Sequence, residues 1–161
     1  MRNRLSRIRR MRGVAAVEFA LVAIPMALLL SGIVDFGYAF FQYNTLVKST
    51  RDAVRLLSTY SPTSSDYPLA AAKCYAVYGN GSCSGSPLAP GLTTAMVVVC
   101  DPVNTSGCTG TYQNVQTDPS GDTINLVQVK ITGFAFTQLV GFFQIGNLVF
   151  GDISCVMRQV S

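Results

Sequence analysis

Residues 14–37 read VAAVEFALVAIPMALLLSGIVDFG, and this stretch decides the architecture of the chain. From Phe19 to Val34 it carries no charged side chain, and with its flanks it reaches the roughly 20 residues that a helix needs to cross a bilayer. Because backbone N–H and C=O groups in lipid must be paired within the segment, we expect it to be helical. The sequence therefore predicts a transmembrane helix at residues 14–37.

A short basic segment precedes the apolar stretch. Residues 2–12 read RNRLSRIRRMR, with six arginines and no acidic residue. Beyond Gly13 the chain has six basic and eight acidic residues, so its net charge of +4 belongs to the amino-terminal tail. Arginines clustered before a span favour a cytoplasmic amino terminus and an exported carboxy-terminal part. The slightly acidic remainder argues against nucleic-acid binding.

The helical pattern continues beyond the membrane segment. Apolar residues recur at intervals of three and four, which is typical of one face of a helix, until Ser61-Pro62 ends the pattern. Residues 38–60 are therefore predicted as an amphipathic continuation on which the outer domain packs. We call the apolar stripe along this helix the helix seam. It is interrupted by one polar residue, Thr50. The seam is formed by Ile33, Phe36, Phe40, Tyr43, Val47, Val54 and Leu57.

Residues 61–161 predict a small outer domain. LAAAKCYAVY, at residues 69–78, favours a short helix that Gly79 ends. Strands are predicted at residues 93–100, 125–136 and 148–158, the second from the alternation of Val127, Val129 and Ile131 with polar residues. The expected fold class is α+β, with a long amino-terminal helix packed on a small antiparallel sheet.

An uncharged segment, residues 131–150, interrupts this domain. A second transmembrane span is one interpretation, but glycines and amides dilute the segment, and a loop that is buried or faces the membrane fits better. Its phenylalanines would pack in the core or form an exposed patch for a partner; they are Phe134, Phe136, Phe142 and Phe143.

The residue inventory argues against an enzyme. The chain contains no histidine, which removes the imidazole base of most nucleophilic catalysis and the commonest metal ligand. The five cysteines include no C-x-x-C pair, so no metal site or cofactor is predicted. In an oxidising compartment we expect the local disulfides Cys74–Cys83 and Cys100–Cys108, with Cys155 left over, although the sequence leaves other connectivities open.

The junction between the basic segment and the span resembles a prepilin. A basic leader, residues 1–13, ends in Gly13, and GVAAVEFALV places Glu18 five residues after the glycine in an otherwise apolar helix. With Pro25, the leucine-rich run, Asp35-Phe36-Gly37 and TRDAVRLLS at residues 50–58, the pattern is most similar to the TadE/TadG-like minor pilins, or pseudopilins, of the tight-adherence (Flp-type) pilus.

This resemblance implies a pilin-like fold, cleavage between Gly13 and Val14, and pairing of Glu18 with the new α-amine of Val14. We also expect Gly13, as a poor helix former, to leave an extended stretch for the peptidase. The implied partners are a prepilin peptidase, the pilus assembly platform, other pilins and the bacterial inner membrane. The protein partners would be met through the helix seam, with the outer domain as a second surface. The implied topology is single-pass, with a periplasmic domain that reaches the cell surface if the protein enters the pilus. The alternative is a signal-anchored periplasmic binding or sensor module.

Overall fold

The computed structural model describes residues 2–119, 121–140 and 148–160, with side chains described from Gly13 onward. Two helices are present in this part of the chain, α1 at Arg2–Ser58 and α2 at Leu69–Tyr78. A 3-10 turn at Thr94–Met96 leads into the first strand, and the strands are β1 (Val97–Cys100), β2 (Val115–Gln116), β3 (Thr123–Ile131) and β4 (Ile153–Gln159). The predicted α+β class is confirmed.

The chain divides into two compact units. The first comprises residues 1–38 and 138–145, of which 2–38 and 138–140 are described, and the second comprises residues 39–137 and 146–161. The first unit holds the apolar stretch at residues 14–37. The second holds the rest of α1, α2 and all described strands.

Strand β3 lies at the centre of a fully antiparallel sheet. It pairs with β1 and β2 along one edge and with β4 along the other. In this register Ile131 lies opposite both Val97 and Ile153, and Val129 lies opposite both Val99 and Cys155. One face of the sheet is therefore continuously apolar, as the alternation in residues 127–131 predicts.

Observed and predicted strands overlap but differ at their ends. The first predicted strand begins as the 3-10 turn, so that only its second half, Val97–Cys100, is extended. β3 ends at Ile131, and Phe134 leaves the sheet to enter the core. Two residues named in the sequence analysis, Phe142 and Phe143, lie outside the described residues. The short β2 is too brief to show a period in the sequence.

The core of the second unit forms where the apolar face of the sheet meets the carboxy-terminal half of α1 and α2. Gly79 ends α2 in the left-handed conformation, with φ of 72°, and donates its N–H to the carbonyl of Tyr75. The buried residues contributed by the helices are Leu46, Ala53, Val54 and Leu57 from α1 and Ala72, Ala76 and Val77 from α2.

Candidate functional site

The amino-terminal part of α1 exposes its apolar side chains on all sides. Its most apolar window has a mean hydropathy of 2.3, and none of that window is buried within the protein. The large side chains are more than half exposed at Phe19 (74%), Leu21 (69%) and Leu29 (70%). A helix that is apolar all round and is not covered by the described residues of its own chain is suited to lipid or to the helices of neighbouring subunits. This is a helix that can span a membrane.

Gly13, Val14 and Glu18 lie together at the start of this apolar surface. All three are exposed and helical. Val14 and Glu18 are four residues apart, which places them on one face with β-carbons about 5–6 Å apart. The expectation of an extended stretch at Gly13 is wrong, because α1 runs through it from Arg2. The intrinsic cost of glycine in a helix, about 1 kcal/mol, is outweighed by the helix formers around it.

Only the carboxy-terminal part of the helix seam packs in the core of the second unit. Val54 and Leu57 are fully buried in the core, and Val47 is half-buried. Phe36, Phe40 and Tyr43 are 71%, 59% and 42% exposed, although the Tyr43 ring lies edge-on to Phe150 of the outer domain, with ring centroids 5.8 Å apart. The role of the seam as a surface for partners stays a prediction. The buried face of α1 is rotated from the seam and includes polar side chains; in the second unit it is formed by Gln42, Leu46, Ser49, Thr50, Ala53, Val54 and Leu57.

Asp35 is a buried acid in the first unit. Its residue is 2% exposed, and one carboxylate oxygen, Oδ1, accepts hydrogen bonds from the backbone N–H groups of Leu139 and Val140 at 3.1 and 2.9 Å. Two adjacent N–H groups directed at one carboxylate oxygen form a charge-assisted pair. The sequence shows an acid at the end of an apolar run, but nothing local indicates a partner more than a hundred residues away.

Asp101 is a second buried acid, in the second unit. It is fully buried directly after β1. Its Oδ1 accepts the N–H groups of Val103 and Asn104 at 2.9 and 2.7 Å, and its Oδ2 accepts Asn104 Nδ2 and the Tyr67 hydroxyl, both at 2.8 Å. The Tyr67 oxygen in turn accepts a hydrogen bond from Gln159 Nε2. This network connects the segment before α2 with the ends of β1 and β4.

Tyr67 gives this network a pH dependence. Burial, reinforced by the hydrogen bond to the Asp101 carboxylate, raises the pKa of Tyr67 well above its ordinary value of 10.0. The folded state therefore binds this proton more tightly than the unfolded state does. The contribution of Tyr67 to stability is complete below pH ~10 and declines above it.

We expect Tyr67→Phe to flatten the decline in stability between pH ~10 and pH ~11, because the variant has no phenol proton to lose. The measurement is denaturant unfolding of the full chain, and an unchanged decline would contradict the prediction.

The structure joins the cysteines locally. Disulfides connect Cys74 to Cys83 and Cys100 to Cys108, the pairings chosen in the sequence analysis, and Cys155 on β4 is a free, half-buried thiol. The first bond attaches α2 to the loop that follows it, and the second holds the end of β1 beside the Asp101 turn. Disulfides of this kind suit a domain outside the cytoplasm.

The alternative function requires a ligand site in the outer domain. A cleft of about 450 Å³ is lined by Lys73 of α2, by β1 and by residues 103–106. None of its described lining comes from the glycine-rich loop at residues 80–91 or from the uncharged segment at residues 131–150. Among the described residues, no group of three or more His, Cys, Asp or Glu side chains is placed to hold a metal ion.

The described part of the chain therefore combines an amino-terminal helix able to cross a membrane with a small, disulfide-bonded α+β domain, and this combination defines the class of protein. Within it, residues 13–55 match the family model described as TadE-like protein, which confirms the resemblance over about a quarter of the chain. The match relates the protein to the Tad pilus and to pilin partners in general, and the TadE-like family is not an enzyme family. No curated protein and no solved structure matches the chain.

Proposed function

We propose that this protein is a minor pilin, or pseudopilin, of a tight-adherence pilus. It is made as a precursor and inserted with its basic leader in the cytoplasm. A prepilin peptidase then cuts it between Gly13 and Val14. The mature chain acts in pilus assembly, and thereby in surface adherence, through contacts with other pilins and the assembly platform.

The observation that carries this proposal is where the family match begins. It starts at Gly13, the residue at which the basic leader meets the apolar helix. The same segment contains the exposed Glu18 and a window of α1 with no buried residue. An acid within a membrane helix is costly and usually functional. The leader, the glycine and the acid are the features that a prepilin peptidase substrate combines.

Cleavage would change the charge balance at Glu18. The reaction hydrolyses the Gly13–Val14 peptide bond with one water molecule and leaves an α-amine on Val14. That amine has a reference pKa of about 7.7–8.0 and is largely protonated at neutral pH. Since Val14 lies one helical turn before Glu18, the new ammonium can neutralise the carboxylate, within one chain or on a neighbouring subunit.

The helical conformation at Gly13 adds one requirement to the cleavage step. A protease needs extended backbone, so the leader must unwind locally when the peptidase binds. Glycine lowers the cost of this unwinding by about 1 kcal/mol relative to alanine. Glycine also leaves room for close approach of the enzyme, because it has no side chain.

We expect Gly13→Leu to block processing while leaving insertion intact. A β-carbon at Gly13 would meet no atom within 4 Å, so the substitution fits the fold and strengthens the helix. The loss should therefore come from the peptidase, with the processed fraction falling about tenfold or more, which corresponds to ~1.4 kcal/mol in the transition state. The measurement is the intact mass of the protein extracted from membranes.

Gly32→Leu is the matched control. Gly32 is also helical, and a β-carbon there also meets no atom within 4 Å. This variant should be processed like the wild type. Normal processing of Gly13→Leu would refute the cleavage site. A wild-type protein isolated with its leader attached would refute the pilin function and favour the signal-anchored module.

A further inference from the structure

A loop from the carboxy-terminal half of the chain lies at the end of the membrane helix. The 21 residues from Val14 to Val34 rise about 31 Å as a helix, close to the thickness of the hydrocarbon core. Asp35, the next residue, therefore stands where the helix leaves the hydrocarbon. The hydrogen bonds from the Leu139 and Val140 N–H groups place that loop backbone within 3.1 Å of the Asp35 carboxylate.

The side chains of this loop are apolar and exposed. Leu139 is 62% exposed and Val140 is 46% exposed, within a stretch, residues 131–150, that contains no charged residue. The neighbouring helix surface in the same unit is also apolar, with Ile33 67% and Phe36 71% exposed. The loop therefore continues the apolar surface of the membrane helix.

We propose that Leu139 and Val140 insert into the outer interface of the bilayer, and that Asp35 fixes this loop to the end of the membrane helix. The occupant of the exposed loop surface is lipid. Peripheral apolar groups commonly reach about 5–10 Å into the boundary between headgroups and acyl chains, which is the level at which the span ends.

The burial of Asp35 follows from this arrangement. Near hydrocarbon, an unpaired backbone N–H has no water to bind, so a loop that enters the interface needs acceptors for its N–H groups. The Asp35 carboxylate supplies them, and the two N–H groups compensate its negative charge in return. The inference rests on α1 crossing the membrane and does not require the pilus function.

The chain contains no tryptophan, so one introduced indole reports a single position. The full chain carrying Val140→Trp is reconstituted in phosphatidylcholine–phosphatidylglycerol vesicles whose acyl chains are brominated close to the headgroup. Bromine quenches only an indole that contacts the lipid. We expect emission to fall by about half or more, and iodide in the water to quench weakly.

Two further variants calibrate this signal. Phe36→Trp, on the membrane helix, should be quenched by the brominated lipid. Val103→Trp is the matched water-exposed control, because Val103 is 55% exposed in a turn of the outer domain; it should be quenched by iodide and unaffected by bromine. If Phe36→Trp is not quenched by lipid, the helix leaves the bilayer before Asp35, and the inference is wrong.

Two results for Val140→Trp would overturn the proposal. Quenching of Val140→Trp by iodide alone would place the loop in water and overturn the inference. Shielding from both quenchers would mean that protein, such as a second copy, covers the loop, which also overturns the proposal.

Adding Asp35→Leu should reduce lipid quenching of Val140→Trp by about half, because no acceptor remains, whereas Asp35→Asn keeps an oxygen and should preserve the quenching. Equal quenching with Asp35→Leu would refute the role of Asp35.

Discussion

Asp101→Ala is expected to destabilise the outer domain by about 3 kcal/mol or more. The substitution removes the acceptor of four hydrogen bonds inside a fully buried turn. Hydrogen bonds to charged groups are stronger than neutral ones, and buried donors left without acceptors carry the full cost of lost hydration. For a domain of this size the unfolding midpoint should fall by about 10 °C or more.

Two variants isolate the cause of this loss. Asp66→Ala removes a carboxylate from the exposed loop before α2 and should change stability by less than about 0.5 kcal/mol. Asp101→Asn keeps an oxygen for the two backbone N–H groups but turns an amide donor toward Asn104 or Tyr67, so its loss should be intermediate. The measurement is thermal unfolding of the full chain in detergent. A midpoint for Asp101→Ala within 2–3 °C of the wild type, on the order of 0.5 kcal/mol, would contradict the role of this carboxylate.

The parts of the fold that depend on local chemistry could be predicted from the sequence. The uncharged run from Phe19 to Val34 predicts one long helix, and Gly79 predicts the end of α2 because glycine adopts a left-handed backbone without strain. The alternation at residues 127–131 predicts the apolar face of β3 because side chains of a strand point to opposite sides. In each case neighbouring residues suffice to choose the structure.

The face of α1 that packs on the sheet could not be predicted in this way. Apolar periodicity shows which residues avoid water, but it does not distinguish a protein core from lipid or a neighbouring subunit. Phe36 and Phe40 belong to the helix seam, with its intervals of three and four residues, and are nevertheless exposed, whereas Gln42 is 1% exposed. A buried amide on a helix face looks like a surface residue in the sequence. On this helix the usual rule of polar residues outside and apolar residues inside therefore fails.

The burial of Asp35 and Asp101 could not be predicted from the sequence for a different reason. Asp35 and Asp101 each follow an apolar stretch, where an acid is ordinarily interpreted as the return to solvent. Their burial depends on distant partners: backbone N–H groups at Leu139 and Val140 for the first, and the Tyr67 hydroxyl for the second. Contacts between residues far apart in sequence leave no local pattern. The candidate cleavage site, by contrast, is formed by neighbouring residues, so its pattern can be predicted from the sequence alone.

Glu18→Gln is expected to leave processing intact and to lower the number of pili per cell by about tenfold or more. A charge at the centre of a membrane helix costs about 2.5–3.5 kcal/mol, and less near its edge. Cleavage after Gly13, as proposed, would place two such charges one turn apart, at Val14 and Glu18, so that each would lower the cost of the other. Replacing Glu18 by an amide leaves the ammonium without its partner when the helix packs among other apolar helices.

Two further variants show whether the loss of pili comes from the missing charge at Glu18. Glu18→Asp keeps the carboxylate and should retain most pili, while Asp52→Asn removes an exposed carboxylate from the same helix beyond the span and should have no effect. The intact mass of each variant shows whether the leader has been removed, so a processing defect is distinguished from an assembly defect. Wild-type pilus numbers for a fully processed Glu18→Gln variant would show that neutralisation of the Val14 ammonium is not required for assembly. Because the proposed assembly step would move a helix from lipid into contact with other helices, the uncompensated charge should act at that step, and mature subunits should accumulate in the membrane.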